Sequence, residues 1–106
     1  MYLIIFEVYL YDDQKDRYFE LAGQLRETLH QQPGFIYVER FQSLVDEGKI
    51  LSISCWESDE AIANWRYHAE HMVVQAEGKR SVFKSYRLRV AEVIRDYDFS
   101  SSSELN

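Results

Sequence analysis

The chain reads as an α+β domain of the ferredoxin-like β-α-β-β-α-β type, with one four-stranded antiparallel sheet carrying two helices on one face. Three observations predict it. Runs that alternate with period two recur at 2–11, 35–44, 49–57 and 83–97. Segments of helical period, at about 13–31 and 59–77, follow the first and third of these runs. The second and third runs are joined by Asp46-Glu47-Gly48, a connection short enough for a hairpin. At 106 residues the chain has room for one core, so residues 1–97 form the domain and 98–106 a polar, serine-rich tail.

Each element has its own justification. In the first run Ile4, Phe6, Val8 and Leu10 oppose Leu3, Ile5, Glu7 and Tyr9, a strand apolar on both sides. Asp12 and Asp13 supply an N-cap for the first helix, whose apolar stripe is Tyr18, Leu21, Ala22, Leu25 and Leu29. Pro33-Gly34 breaks it. Alternation then sets Phe35, Tyr37, Glu39 and Phe41 opposite Ile36, Val38, Arg40 and Gln42. After the hairpin partner, Ser58 and Asp59 cap a second helix, with Glu60 in its first turn to suit the helix dipole. That helix runs to about Glu77, before Gly78. The last strand sets Leu88, Val90, Glu92 and Ile94 on one face.

Composition narrows the classes. Sixteen aromatic rings are too many for one small core, so some line a cavity or a subunit interface. Both faces of the strands are apolar, whereas two helices cover only one, which predicts a homodimer packed sheet to sheet. The lone Cys55 forms no intrachain disulfide and sits beside Trp56 in a strand, as a core residue. The longest apolar stretch, Leu3 to Phe6, is far short of a membrane span, and no signal-like segment is visible, so a cytoplasmic protein without a membrane partner is expected. The net charge of −6 argues against nucleic acid. Residues 79–95 nevertheless carry a local +5, from Lys79, Arg80, Lys84, Arg87, Arg89 and Arg95 against Glu92. Those arginines serve either ion pairs or an anionic or phenolate oxygen in a pocket. Glu7 and Glu92 read as ion-pair partners for arginines such as Arg40, Arg87 or Arg89.

The second helix has an unusual edge. Ala61, Ile62, Trp65, Ala69, Met72, Val73 and Ala76 make its apolar face, and Arg66 and Glu70 its solvent face. Between them Asn64, His68, His71 and Gln75 stack at i, i+4, i+7 and i+11. Such uncharged hydrogen-bonding groups either line a partly enclosed polar cavity beside Trp65 or are boundary residues satisfied by a strand or water. Histidine suits proton transfer near neutral pH. His68 and His71 fall short of a metal pattern, so no metal is expected. Phosphate loops, dinucleotide fingerprints and nucleophile elbows are absent from the sequence.

The segments PGFIYVERFQS, LSISCWES, AIANWRYHAEHMVVQAEGK and YRLRVAEVIRDY, with Trp65 followed by His68 and His71 and preceded by Trp56-Glu57, resemble the antibiotic biosynthesis monooxygenase family. The resemblance covers Tyr2 to about Tyr97. It implies a homodimeric α+β barrel with a ligand cavity between sheet and helices in each subunit. It also implies oxidation of a small phenolic or quinol-like aromatic by molecular oxygen without flavin, haem or metal. In that reading Trp65 packs on the substrate, His68 or His71 takes or relays the phenolic proton, and Asn64, Gln75, Arg87 or Arg89 contacts the substrate or its oxyanion. One branch of this fold degrades haem, but uses an asparagine on the first strand where this chain has Glu7 and spaces its histidine differently from Trp65. Other relatives are non-catalytic binding barrels.

Overall fold

The computed structural model describes residues 1–76 and 82–101, with the backbone alone for 70–76. Six elements follow in order: β1 (Tyr2–Leu10), α1 (Lys15–Leu29), β2 (Phe35–Gln42), β3 (Lys49–Trp56), α2 (Asp59–Ala76) and β4 (Phe83–Glu92). The strands form one antiparallel sheet in the order β2-β3-β1-β4, the ferredoxin-like arrangement with β1 and β3 central. The expected second-helix end at Glu77 and Gly78 lies outside the described residues, as does most of the tail.

Local chemistry explains most boundaries. Ser58 Oγ accepts the Ala61 N–H at 3.1 Å, so Ser58 caps α2 as its side chain suggests. Asp12 and Asp13 do not cap α1. Gln14 stands at that position with no side-chain cap bond, and Asp16 supplies the acid in the first turn. The last strand stops at Glu92 and not Tyr97 because β1 runs out. Tyr2 is opposite Glu92, the Val93 N–H donates to the Met1 carbonyl at 2.9 Å, and no further residue of β1 remains to pair.

A bulge at the start of β2 changes which side chains reach the core. Phe35 pairs with Trp56 and Tyr37 with Cys55, leaving Ile36 as the extra residue. Uninterrupted alternation sets Phe35 on the same side as Tyr37. The bulge instead turns Phe35 inward, where it meets the Trp56 ring edge-on at 5.4 Å. Past the bulge Tyr37, Glu39 and Phe41 occupy the sheet face away from the helices, and Val38 and Arg40 the helix side.

Two apolar clusters tie the helices to the sheet. Val8, Leu10, Tyr18, Leu21, Ile50 and Val82 form one, and Ile4, Leu29, Trp56, Ile62 and Trp65 the other. In the second, Trp56 and Trp65 stack at 6.2 Å, and the fully buried Trp56 indole N–H donates to Ser54 Oγ at 2.9 Å, which satisfies its one polar atom. The opposite sheet face presents Leu3, Ile5, Leu51, Ile53, Tyr37 and Phe41. Tyr37 and Phe41 are 48% and 42% exposed there. Glu7 on this face is held between Arg89 at 3.4 Å and Lys49 at 3.9 Å, so one of the arginines named as its partner does fill that role. Cys55 is completely buried, and burial pushes its thiol pKa up.

Gly34 shows how closely β2 tucks under α2. Its φ is +83°, and a Cβ there would sit 2.7 Å from the Ala61 Cβ. Gly34→Ala therefore combines left-handed strain with a clash, and is expected to cost about 2–3 kcal/mol in urea unfolding. Adding Ala61→Gly restores part of that loss; a wild-type midpoint in Gly34→Ala alone contradicts the packing described.

Candidate functional site

Between the two clusters the helices stand off the sheet and enclose a cavity of about 190 Å³. Its floor is the inward row of the strands: Ile4 and Phe6, Val38 and Arg40, Ser52 and Ser54, Tyr86 and Leu88. Its roof comes from α1 positions spaced by three or four, including Tyr18, Ala22, Leu25 and Arg26, and from Trp65, Arg66 and Ala69 of α2. Most of this wall is apolar, with a few polar groups placed on it, the usual make-up of a small-molecule site.

The central polar feature is Arg40. The pleat of β2 turns it inward, and its Nη2 donates to the Ala22 carbonyl of α1 at 3.4 Å. Its guanidinium also faces the Tyr18 phenol closely enough to act on it by charge and hydrogen bonding. Burial raises the Tyr18 pKa, and the charge and hydrogen bond of Arg40 act in the opposite direction. Because burial dominates, Tyr18 is held as a neutral phenol that accepts from Arg40 and can donate its own proton to a ligand. Ser54, which already accepts from Trp56, likewise has its hydroxyl proton free to give. Among the described residues, none of the lining side chains is a carboxylate.

The residues singled out in the sequence are distributed differently. Trp65 is buried and lines the cavity. His68 is exposed, 6.2 Å from the Trp65 ring at a tilt of 36°, and neither it nor the exposed Asn64 belongs to the lining. The side chains of His71 and Gln75 lie outside the described residues. Arg87 and Arg89 stand on the far face of the sheet, because Tyr86 and Leu88 take the inward positions and alternation sends their neighbours outward. A charged residue in register with Val38 on a core-facing row was the available signal for Arg40, and Tyr18 was legible only as part of an apolar stripe. Among the described residues no group of three or more His, Cys, Asp or Glu could hold a metal.

A ferredoxin-like sheet with a donor-lined apolar cavity under its helices defines a small-ligand α+β domain. The model of the family described as "Antibiotic biosynthesis monooxygenase" matches residues 1–77, and the chain belongs to that family. It is 38% identical over 93 residues to a jasmonate monooxygenase of Pyricularia oryzae, an alignment covering 88% of this chain but 43% of that protein. The chain thus spans less than half the length of this relative. It is 34% identical over 86 residues to the uncharacterised protein YqjZ of Bacillus subtilis, covering 81% of this chain and 74% of that one. The fold is similar to SnoaB, a cofactor-independent oxygenase from Streptomyces nogalater, with a TM-score of 0.75 at 9% identity over 90% of this chain and 94% of that one.

The Tyr18 environment sets a pH dependence. A phenol whose folded pKa lies above its ordinary value of 10.0 contributes stability that is complete below that value and lost as the pH rises through the raised one. Tyr18→Phe is expected to flatten the decline in melting temperature above about pH 10, and to cost about 1–2 kcal/mol near neutrality by removing the Arg40 acceptor. An alkaline slope identical in the two proteins contradicts the burial of this phenol.

Proposed function

We propose that this domain oxidises a small phenolic or quinol-like aromatic with molecular oxygen, without a cofactor, in the cavity between sheet and helices. The observation that carries the reading is the Arg40–Tyr18 pair set in an apolar, aromatic-walled cavity of a chain in the monooxygenase family. The similarity to the Pyricularia jasmonate monooxygenase and the Streptomyces cofactor-independent oxygenase supports the reaction class.

The chemistry follows from the residues. A substrate ring packs between Trp65 and the Phe6, Phe83 and Tyr86 side, with its oxygen toward Arg40 and Tyr18. A guanidinium and a phenol stabilise the oxyanion more than the neutral phenol, so they favour loss of the proton. Asn64 and His68 lie on the outward side of α2 beside Trp65. His68 receives that proton through water at the rim; His71 and Gln75 remain proposed contacts, whereas Arg87 and Arg89, on the far face of the sheet, take no part in this subunit's cavity. The electron-rich anion gives one electron to oxygen, and the two radicals combine as a hydroperoxide on a ring carbon that bears a hydrogen. Loss of water leaves a carbonyl: the ring CH becomes C=O, its hydrogen and the proton first lost from the phenol leave in water with one oxygen atom, and the substrate supplies all four electrons. Exclusion of bulk water by the apolar wall protects the anion until oxygen arrives.

A homodimer completes the proposal. The face bearing Leu3, Ile5, Leu51, Ile53, Tyr37 and Phe41 is largely apolar, and of its carboxylates Glu7 and Glu39 the first is paired with Arg89 and Lys49. Two such faces packed together bury what a monomer would leave in water.

Two experiments test these statements. Arg40→Ala should lower oxygen consumption with an anthrone or hydroquinone by about 100-fold, the scale of one lost oxyanion donor. Turnover within about threefold of wild type removes Arg40 from the reaction, and ligand-dependent thermal stabilisation with no oxygen uptake in the wild type identifies a binding module instead. Tyr37→Asp should sediment as a monomer, because it places a charge within the sheet-to-sheet contact; a variant that stays dimeric rules out this face.

A further inference from the structure

Among the described residues, the charged groups of the cavity wall all have one sign. Arg26 of α1, Arg40 of β2 and Arg66 of α2 line it, while the chain as a whole has 18 acidic residues against 12 basic ones. Every polar side chain described in that wall, the arginines with Tyr18, Ser52 and Ser54 among them, can donate a hydrogen bond, and the only side-chain acceptors among its described residues are serine and tyrosine hydroxyls, of which Ser54 already accepts from Trp56. Cations and donors outnumber acceptors there, a balance that suits an anion better than a neutral ligand.

The arginines also differ in depth. Arg40 is half-buried and tied to the Ala22 carbonyl and the Tyr18 phenol, whereas Arg26, in the last turn of α1, and Arg66, on α2, are exposed. The latter two therefore flank the opening between the helices. Neither Arg26 nor Arg66 has a carboxylate within ion-pair distance among the described residues. A ligand with an apolar body inside and a charged end at this opening keeps that end partly hydrated and avoids the penalty of burying it. Arginine forks match a carboxylate better than a point charge would.

We infer that the cavity takes substrates that are organic acids, with the apolar or aromatic body enclosed against Trp65 and the carboxylate held at the opening by Arg26 and Arg66. The inference rests on the cavity being the substrate site. It adds a second recognition point, distinct from the oxygen held by Arg40, and so restricts the substrate class to arylalkanoic and similar acids.

Calorimetric titration of the full chain with hydrocinnamate, and with hydrocinnamide as its uncharged counterpart, tests this without relying on turnover. The acid should bind about tenfold more tightly at low salt, and about molar salt should remove most of that preference because the pairs are exposed. Arg26→Gln/Arg66→Gln should abolish the preference, and Arg26→Lys/Arg66→Lys should retain part of it, which separates charge from loss of fold. Equal binding of acid and amide, no binding of either, or a preference kept in the double glutamine variant and lost only in Arg40→Gln overturns the inference. Oxygen uptake is read separately, with a hydroquinone and with a hydroquinone bearing an alkanoic acid side chain. Uptake without acid preference refutes only the acid specificity, whereas acid preference without uptake refutes only the oxygenase reading.

Discussion

The site depends on a gap held open between two wedges of side chains. At one end Trp56 stacks on Trp65 and is closed by Phe35; at the other Tyr18 and Phe83 meet edge-on at 6.1 Å above Val8 and Ile50. Rings of that size fix the distance between helix and sheet, because close-packed aromatic contacts resist compression. Between the wedges the sheet presents Ser52 and Ser54 where larger residues would fill the space, and α1 presents Ala22. The cavity is what large side chains at the ends and small ones in the middle must leave.

An arginine in such a layer needs a reason to remain charged there. Arg40 satisfies part of its donor set through the Ala22 carbonyl and the Tyr18 oxygen. A guanidinium has more donors than those two acceptors occupy, and no carboxylate among the described residues of the wall takes the rest. The energetic demand of that arrangement points toward a ligand oxygen carrying negative charge, formed on binding or brought in with the substrate. The same demand explains why Tyr18 works better as a neutral donor than as a base: a phenolate beside Arg40 would neutralise the cation the oxyanion requires.

Much of the architecture was legible in the sequence because it rests on period. The strand alternations and helical stripes gave the element order and placed Trp65 on the inward face of α2, where it is buried. Two devices were invisible to periodicity. The bulge at Ile36 inserts one residue and so moves Phe35 to the core, and the end of β4 depends on where β1 starts, a fact of pairing and not of local sequence. The site was harder to read. Arg87 and Arg89 drew attention as a basic run, yet alternation on β4 gives the inward places to Tyr86 and Leu88. Arg40 drew less because one arginine among alternating residues looks like a surface charge until the sheet order shows helix α1 above it.

The polar edge of α2 and the donor-lined cavity then divide the work by position. Asn64 and His68 are exposed and sit next to, not inside, the enclosed volume, with Trp65 between the two environments. A proton released inside must reach solvent without leaving an uncompensated charge among apolar groups. A histidine at the rim meets that need better than one at the centre, since its charged form remains hydrated there. In the proposed reaction, placing Arg40 inside and His68 outside follows from desolvation: the guanidinium would hold the anion, and the proton would be taken up where a charged imidazole stays hydrated.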